Sequence, residues 1–164
     1  MVQQRAPVDA PSDNYMPVKA LNTFVRDWCI KARIANRGDM RQTQKGGQVF
    51  SVQLVDSHGT QIEGTFFNDA AKKFDSLLQK NKVYVFSSGT IKMANKKFTS
   101  ITNDFCIWFD KNSDIQEAKD DGSISNQAFD FCTIKSIDDI VQQKTIDVIG
   151  VVTEIGEKTS IQTK

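Results

Sequence analysis

Residues 48–68 read QVFSVQLVDSHGTQIEGTFFN, and this stretch decides the fold. Apolar and polar residues alternate over 48–56 and again over 61–67, as expected of strands whose side chains point to opposite faces in turn. Between them, residues 57–60 include Gly59, which can adopt the positive φ of a tight turn. The stretch therefore predicts a hairpin of two strands.

A helix is expected directly after this hairpin. Asn68 is a natural N-cap, and Asp69 in the first turn complements the helix dipole. An apolar stripe follows at helical spacing, and we expect it to pack on the core: Ala70, Ala71, Phe74, Leu77 and Leu78.

Three further strands complete the predicted fold. One covers about 28–36, a second covers 82–92 with a bend or bulge at Gly89, and a third starts at 97–101. Residues 104–109 extend the last strand or form a short additional one. The order strand, strand, strand, helix, strand, strand is typical of an all-β, five-stranded Greek-key barrel of the oligonucleotide/oligosaccharide-binding (OB) type.

The domain organisation follows from composition. Residues 1–16 are polar with two prolines and are predicted to be a flexible linker, and 17–110 form the OB domain. Residues 111–127 are polar and acidic and are predicted to be an interdomain linker. Residues 128–164 repeat the start of the first module, with a strand expected over 145–153, and are interpreted as the incomplete start of a second OB module.

Composition argues against several classes of protein. No apolar run approaches the roughly 20 residues that cross a bilayer, and no signal-peptide pattern opens the chain, so we expect a soluble, intracellular protein without a membrane partner. The three cysteines are far apart and His58 is the only histidine, so we expect no metal site and no cofactor. No nucleophile–base pair or phosphate-binding glycine loop supports catalysis.

Charge is distributed unevenly along the chain. Residues 18–110 hold 14 Lys and Arg against 8 Asp and Glu, whereas 111–164 hold 6 against 10. The excess of positive charge in the predicted barrel favours a polyanionic partner.

Two phenylalanines are predicted to point away from the core. If Ile62 and Phe66 face inward, Phe67 faces outward; if Ile101 faces inward, Phe98 faces outward beside basic residues. Rings and lysines exposed on one sheet suit stacked bases and phosphates. Ordinary packing under a loop or a neighbouring module is the alternative for either ring.

The OB topology places basic residues around these rings. The ligand of this fold lies across the second and third strands, between the loops after strands one and four. Arg41 and Lys45 lie in the first loop, and Lys92 and Lys96 lie in or next to the second. Arg33 is added because it points outward on the first strand. A solvated loop is the ordinary interpretation of the first of these segments.

The runs at 50–56, 81–87 and 89–99 resemble the large subunit of replication protein A, the eukaryotic single-stranded DNA-binding protein. The resemblance covers about 17–109 and continues to 164, and it corresponds to the first of the family's tandem high-affinity modules. It implies non-catalytic binding of single-stranded DNA, in the nucleus, in replication, repair, recombination or telomere maintenance. It also implies as partners further OB modules of the same chain and the smaller subunits of a heterotrimer, bound through parts absent here.

The resemblance assigns roles to individual residues. Phe67 and Phe98 match the aromatics that stack on bases, and Arg41 and Lys92 match basic contacts. Asn68 neighbours the first ring and is implied to hydrogen-bond a base or phosphate. Lys45 is a looser match, and Lys96 lies beside the second ring.

Three positions depart from the family pattern. Glu63 stands where an arginine contacts DNA, Cys106 where a polar acidic residue is usual, and Thr43 where a loop aromatic is often found. A carboxylate at Glu63 repels phosphate or accepts a hydrogen bond from a cytosine amino group. A telomere- or telomerase-associated paralogue, an RNA-binding barrel like some synthetase anticodon domains, and a protein-interaction barrel remain open alternatives.

Overall fold

The computed structural model describes most of the chain, in two compact units, Met1–Ala128 and Phe129–Lys164. No helix in the described part is long and apolar enough to cross a membrane. The described residues are 15–44, 46–97, 99, 101–125, 132–139 and 146–156.

The first unit consists mainly of short strands with one α-helix, as predicted. A 3-10 turn, Val18–Ala20, precedes them. The elements are β1 Cys29–Arg37, β2 Arg41–Gln42, β3 Gln48–Val55, β4 Gln61–Phe67, α1 Asp69–Phe74, β5 Val83–Ser87, β6 Thr90–Met93, β7 Phe105–Phe109 and β8 Asp114–Glu117.

The strands form one curled sheet in the order β6-β7-β4-β3-β1-β5-β8, with β2 paired to β3. β4 and β7 run parallel, and the other pairs are antiparallel. β5 and β6 belong to one segment that bends at Ser88 and Gly89. Before the bend, β5 pairs with β1, and after the bend, β6 pairs with β7. The predicted all-β barrel, with its bend at Gly89, is confirmed.

Stacked aromatic rings fill the barrel. The Phe66 ring lies 4.7 Å from the ring of Phe50 on one side and 4.7 Å from that of Phe109 on the other. Gly89 lets the bent strand approach this core closely, because a Cβ there would lie 2.7 Å from Ile107 Cγ2. The inward side of the hairpin is therefore the side that the alternation predicted.

The helix is shorter than the apolar stripe suggested. It ends at Phe74, and Leu77 is 37% exposed, so the prediction of a core position is wrong for Leu77. The Tyr84 hydroxyl donates to the Leu77 carbonyl and accepts from the Gln79 N–H. This anchor turns the chain after the helix, so that Leu78 is buried while Leu77 faces outward.

The last strand of the barrel, β7, falls in the second part of its expected range, the segment 104–109 predicted to extend that strand or to form a short additional one. Residues 97, 99 and 101 are not in a strand, and Phe98 and Ser100 lie outside the described residues. The strand that pairs with β4 and β6 is β7. Asn103 sets its start, since its side chain accepts from the Phe105 N–H and donates to the Gln61 carbonyl.

Part of the segment expected to be an interdomain linker, 111–127, belongs to the barrel, which corrects that expectation for Asp114 to Ile124. β8 covers the outer edge of β5, and Ile115 is buried. Ile124 is also buried, in a small cluster with Val55 and Val83. We call residues 118–124, which follow β8, the strap. The other predicted boundaries stay predictions.

The second unit is described only in part. It contains a 3-10 helix, Ile134–Asp139, and the Cys132 N–H donates to the Asp147 carbonyl. Of the strand expected over 145–153, residues 146–153 show a single bridge at Asp147 and no strand, and Val151 is 90% exposed. A strand needs a paired neighbour along its length, and the described residues supply one only at Asp147. The interpretation as the start of a second barrel stays a prediction.

Candidate nucleic-acid interface

Phe67 lies at the end of a row of side chains that crosses three strands, with Val49 at its centre. Val49 of β3 pairs with Phe67 of β4 and also with Arg41 of β2. Because directly paired residues share a face of a sheet, Arg41, Val49 and Phe67 lie side by side on the outside of the barrel. The structure thus brings together two residues that the sequence predicted separately.

Two more rows extend this surface towards β6. One runs from Ser51 through Thr65 and Trp108 to Thr90, and the next runs from Gln53 through Glu63 and Cys106 to Lys92. We call the surface formed by these three rows the outer face. Its members are Arg41, Val49, Ser51, Gln53, Glu63, Thr65, Phe67, Thr90, Lys92, Cys106 and Trp108.

Trp108 is a residue of this face that the sequence analysis missed. Its side chain is 46% exposed, and its ring centroid lies 4.9 Å from that of Phe67 at an interplanar angle of 59°. The Lys92 ammonium lies 6.0 Å from the centroid of the indole. The sequence of β7 contains a signal for this residue. Side chains alternate along a strand, so Trp108 faces the side opposite to Ile107 and Phe109.

The first binding loop folds back on the sheet rather than extending from it. Its strand β2 pairs with β3, and the Thr43 N–H donates to the Gly47 carbonyl over 2.7 Å. This pairing fixes Arg41 on the outer face, where its side chain is exposed. Lys45 lies outside the described residues.

Asn68 occupies the predicted N-cap position of the helix, but its side chain holds the end of the hairpin. Its backbone φ is 49°, and its side chain makes no cap hydrogen bond. Instead Asn68 Oδ1 accepts from the Gln48 N–H over 3.2 Å, and the Asn68 N–H donates to the Gln48 carbonyl over 2.8 Å. A Cβ at Gly47 would meet Asn68 Oδ1, so a side chain there would displace the Asn68 amide from its place at the end of the hairpin.

The two predicted lysines have different surroundings. Lys92 is exposed on the outer face. Lys96 Nζ donates to the carbonyls of Thr102 and Asn103 over 2.7 and 2.6 Å and lies 3.2 Å from an Asp104 carboxylate oxygen. Lys96 therefore closes the loop that contains Phe98.

Arg33 does not lie on the outer face, which corrects its prediction as a binding residue. Its side chain is 2% exposed, and its guanidinium is paired with Asp120 and donates to the Ile124 carbonyl. The strap covers it, so the outward direction from β1 leads a buried guanidinium to the half-exposed carboxylate of Asp120.

Glu63 and Cys106 lie side by side on the outer face. Burial raises the pKa of the Cys106 thiol, and the Glu63 carboxylate raises it further, while a hydrogen bond with the Trp108 side chain lowers it. A raised pKa keeps this thiol neutral near pH 7. Glu63 is then the one anionic group among the cations and rings of the outer face.

The described residues contain no cluster of three or more His, Cys, Asp or Glu that could hold a metal ion. The chemistry that the outer face offers is stacking on Phe67 and Trp108, positive charge at Arg41 and Lys92, and hydrogen bonding by the polar side chains between them.

The curled barrel with this exposed face defines a protein of the OB-fold class. The chain belongs to the family described as "Domain of unknown function DUF223", whose model matches residues 19–155. It is also homologous to the 70 kDa DNA-binding subunits of replication protein A. It is 40% identical over 151 residues to one such protein from Arabidopsis thaliana, covering 89% of this chain and 24% of the relative.

A further relative and two solved structures show the same similarity to replication protein A. The 70 kDa subunit of Xenopus laevis is 34% identical over 152 residues, covering 91% of this chain and 25% of the relative. A replication protein A heterotrimer bound to single-stranded DNA matches 87% of this chain and 33% of its own, with 33% identity and a TM-score of 0.66. DNA-binding domain A of the Saccharomyces cerevisiae protein matches 65% of this chain and 96% of its own, with 32% identity and a TM-score of 0.54. The chain spans about a quarter of the length of the curated relatives.

Proposed function

We propose that this chain binds single-stranded DNA on the outer face without catalysing a reaction. One observation carries the proposal: β2 and β4 place Arg41 and Phe67 on either side of Val49, on the open side of an OB barrel. A ring that can stack on a base and a guanidinium that can contact a phosphate are thus fixed on the same face, one strand apart. The names of its relatives support this choice, since they are DNA-binding subunits and one solved relative is bound to single-stranded DNA.

Two physical effects favour binding on this face, base stacking and the neutralisation of phosphates. Stacking of a base on an aromatic side chain contributes roughly 1–3 kcal/mol and discriminates little between bases. Arg41 and Lys92 neutralise phosphates and release counterions, so affinity falls as salt rises. The polar side chains of Thr65 and Asn68 are hydrogen-bonding groups for base edges or phosphates.

Phe98 and Lys45 lie outside the described residues, and we include both in the proposed site. Phe98 follows Lys96 and Lys97 in the sequence, and Lys45 follows Arg41 by four residues. We assign Phe98 a base-stacking role and Lys45 a phosphate contact, in keeping with the family resemblance.

The wider role is proposed from the relatives. As subunits of replication protein A, they support a function in DNA replication, with repair, recombination and telomere maintenance as further settings, in the nucleus. The heterotrimer among the solved relatives supports smaller subunits as partners, together with further OB modules. A second module linked to this one raises the effective concentration and tightens binding.

Fluorescence anisotropy with labelled oligonucleotides of about 12 nucleotides, a length within the usual range of OB site sizes, tests the proposal. We expect single-stranded DNA to bind more tightly than duplex DNA or RNA of the same sequence, with an affinity that falls as salt rises. Equal binding of duplex, a preference for RNA, or binding that is indifferent to salt would contradict the proposal.

A further inference from the structure

We infer that Trp108 is an additional base-stacking residue of the outer face, so that the DNA meets a ring on β7 as well as the ring on β4. The inference rests on the proposed function and extends it to a residue that neither the family resemblance nor the sequence pattern assigned.

The position of Trp108 gives its ring an open approach. It is the third of the four residues in its row and lies between Thr65 on β4 and Thr90 on β6. Both neighbours are short side chains, so neither has the size to cover an indole. The 46% exposure of Trp108 agrees with this arrangement.

Packing of the barrel does not explain the tryptophan. On β7, Ile107 and Phe109 face the core and are buried, and they already fill that side of the strand. Tryptophan is a highly buried residue on average, so a half-exposed indole in the middle of a sheet keeps apolar surface in water. Contact with a nucleotide base would remove that surface from water.

The neighbours of the ring suit a nucleotide. Phe67 meets the indole at 59° rather than in parallel, so the two rings form an angled pair and not a closed sandwich. Lys92 holds its ammonium 6.0 Å from the indole centroid. A base stacked on Trp108 would therefore have its phosphate within the field of a lysine, as a base stacked on Phe67 would have with Arg41.

Intrinsic fluorescence tests this inference, because the chain contains two tryptophans that differ in environment. Trp28 is buried and donates to the Gly89 carbonyl, whereas Trp108 lies on the outer face. We expect an unlabelled thymidine oligonucleotide to quench the fluorescence of the native chain. The Trp108→Phe variant, which keeps a ring, is expected to bind with nearly native affinity and to lose the quenching.

A truncation measures the contribution of the ring. Trp108→Ala is expected to weaken binding about 5- to 150-fold, the range that corresponds to roughly 1–3 kcal/mol of stacking. Phe24→Ala is the matched control, because Phe24 is 88% exposed and lies outside the strands. Circular dichroism checks the folding of each variant, and the Trp108→Phe result stands even if Trp108→Ala does not fold.

The outcomes separate this inference from the proposed function. If the native chain binds the oligonucleotide but shows no quenching, or if Trp108→Phe is quenched as strongly as the native chain, the inference is overturned while DNA binding stands. A folded Trp108→Ala variant with native affinity also overturns it. If the native chain binds no oligonucleotide, the proposed function fails and the inference fails with it.

Discussion

Arg33 and Asp120 form a two-pronged ion pair, in which Nη1 and Nη2 of the guanidinium lie 2.7 and 2.8 Å from the two carboxylate oxygens. The two residues are 87 positions apart in the chain. The pair fastens the strap to β1, and Ile124 adds a buried apolar contact beside it. The folded barrel therefore extends beyond its last core strand, to residue 124.

The Arg33→Met substitution is expected to lower the free energy of unfolding by roughly 3 kcal/mol, at the upper end of the range for single substitutions. The change removes a buried guanidinium that also donates to the carbonyls of Asn81 and Ile124. Urea unfolding measures the loss. Lys31→Met is the control, since Lys31 pairs with Asp121 on the same strap but its side chain is 18% exposed, and its loss is expected to cost about 1 kcal/mol or less. Equal costs for the two variants would show that the Arg33 pair has no special role.

The same strap makes stability depend on pH. The hydrogen bond from Arg33 holds the pKa of Asp120 below its ordinary 3.8, and the hydrogen bond from Lys31 does the same for Asp121. Carboxyl groups with a lowered pKa bind fewer protons in the folded than in the unfolded state, so their contribution is complete above pH 3.8 and is lost as the pH falls below it. Thermal unfolding followed from neutral pH to about pH 3 is expected to show a smaller fall in Tm for Asp120→Asn than for the native chain. A parallel fall in both proteins would contradict this assignment.

Lys92 and Lys96 are expected to differ in how they affect DNA binding. Lys92→Gln removes a phosphate contact, so the slope of log affinity against log salt should become shallower by about 0.7, the value per phosphate for single strands. Lys96→Met removes the hydrogen bonds from Lys96 to the carbonyls of Thr102 and Asn103, which close the loop containing Phe98. The affinity for DNA should therefore fall while the salt slope stays unchanged. Anisotropy titrations at several salt concentrations measure both quantities.

Lys80→Gln is the control for this pair, because Lys80 is exposed in the turn before β5 and away from the outer face. A salt slope that falls equally in the Lys92 and Lys96 variants would mean that Lys96 contacts phosphate directly and that its bonds to the loop carbonyls are broken in the complex.

Removing the negative charge of Glu63 is expected to strengthen DNA binding. Glu63 lies on the outer face in the row that ends at Lys92, and its carboxylate opposes the approach of phosphates. Glu63→Gln should raise the affinity about two- to fivefold, which corresponds to up to about 1 kcal/mol for a charge pair in water. Glu117→Gln on β8, whose carboxylate pairs with Lys82, should leave the affinity unchanged. A weaker Glu63→Gln variant would instead indicate a hydrogen bond from a base amino group to the carboxylate.

The hairpin of β3 and β4 was predictable because local signals agree there. Alternation assigns Phe50 and Phe66 to the inside, and the folded chain stacks these two rings in the core. The bend at Gly89 was predictable for a similar reason, since a residue without a Cβ permits the close approach to Ile107.

The errors arose where distant segments decide the outcome. Alternation correctly points Arg33 away from the core, but the strap, almost ninety residues later, covers it. Residues 97–101 alternate as a strand would, yet pairing with β4 and β6 selects Phe105–Phe109. The strand predicted over 104–109 is present as β7, but the prediction did not assign its inward and outward faces and so missed Trp108.

The most direct test of the account compares two replacements of Phe67 by fluorescence anisotropy with labelled single-stranded DNA. Phe67→Leu keeps an apolar side chain beside Trp108 but removes the aromatic face, whereas Phe67→Tyr keeps the ring. Base stacking on Phe67 predicts near-native affinity for Phe67→Tyr and a loss of about 5- to 150-fold for Phe67→Leu, from roughly 1–3 kcal/mol of stacking. Native affinity in a folded Phe67→Leu variant would contradict base stacking on the outer face.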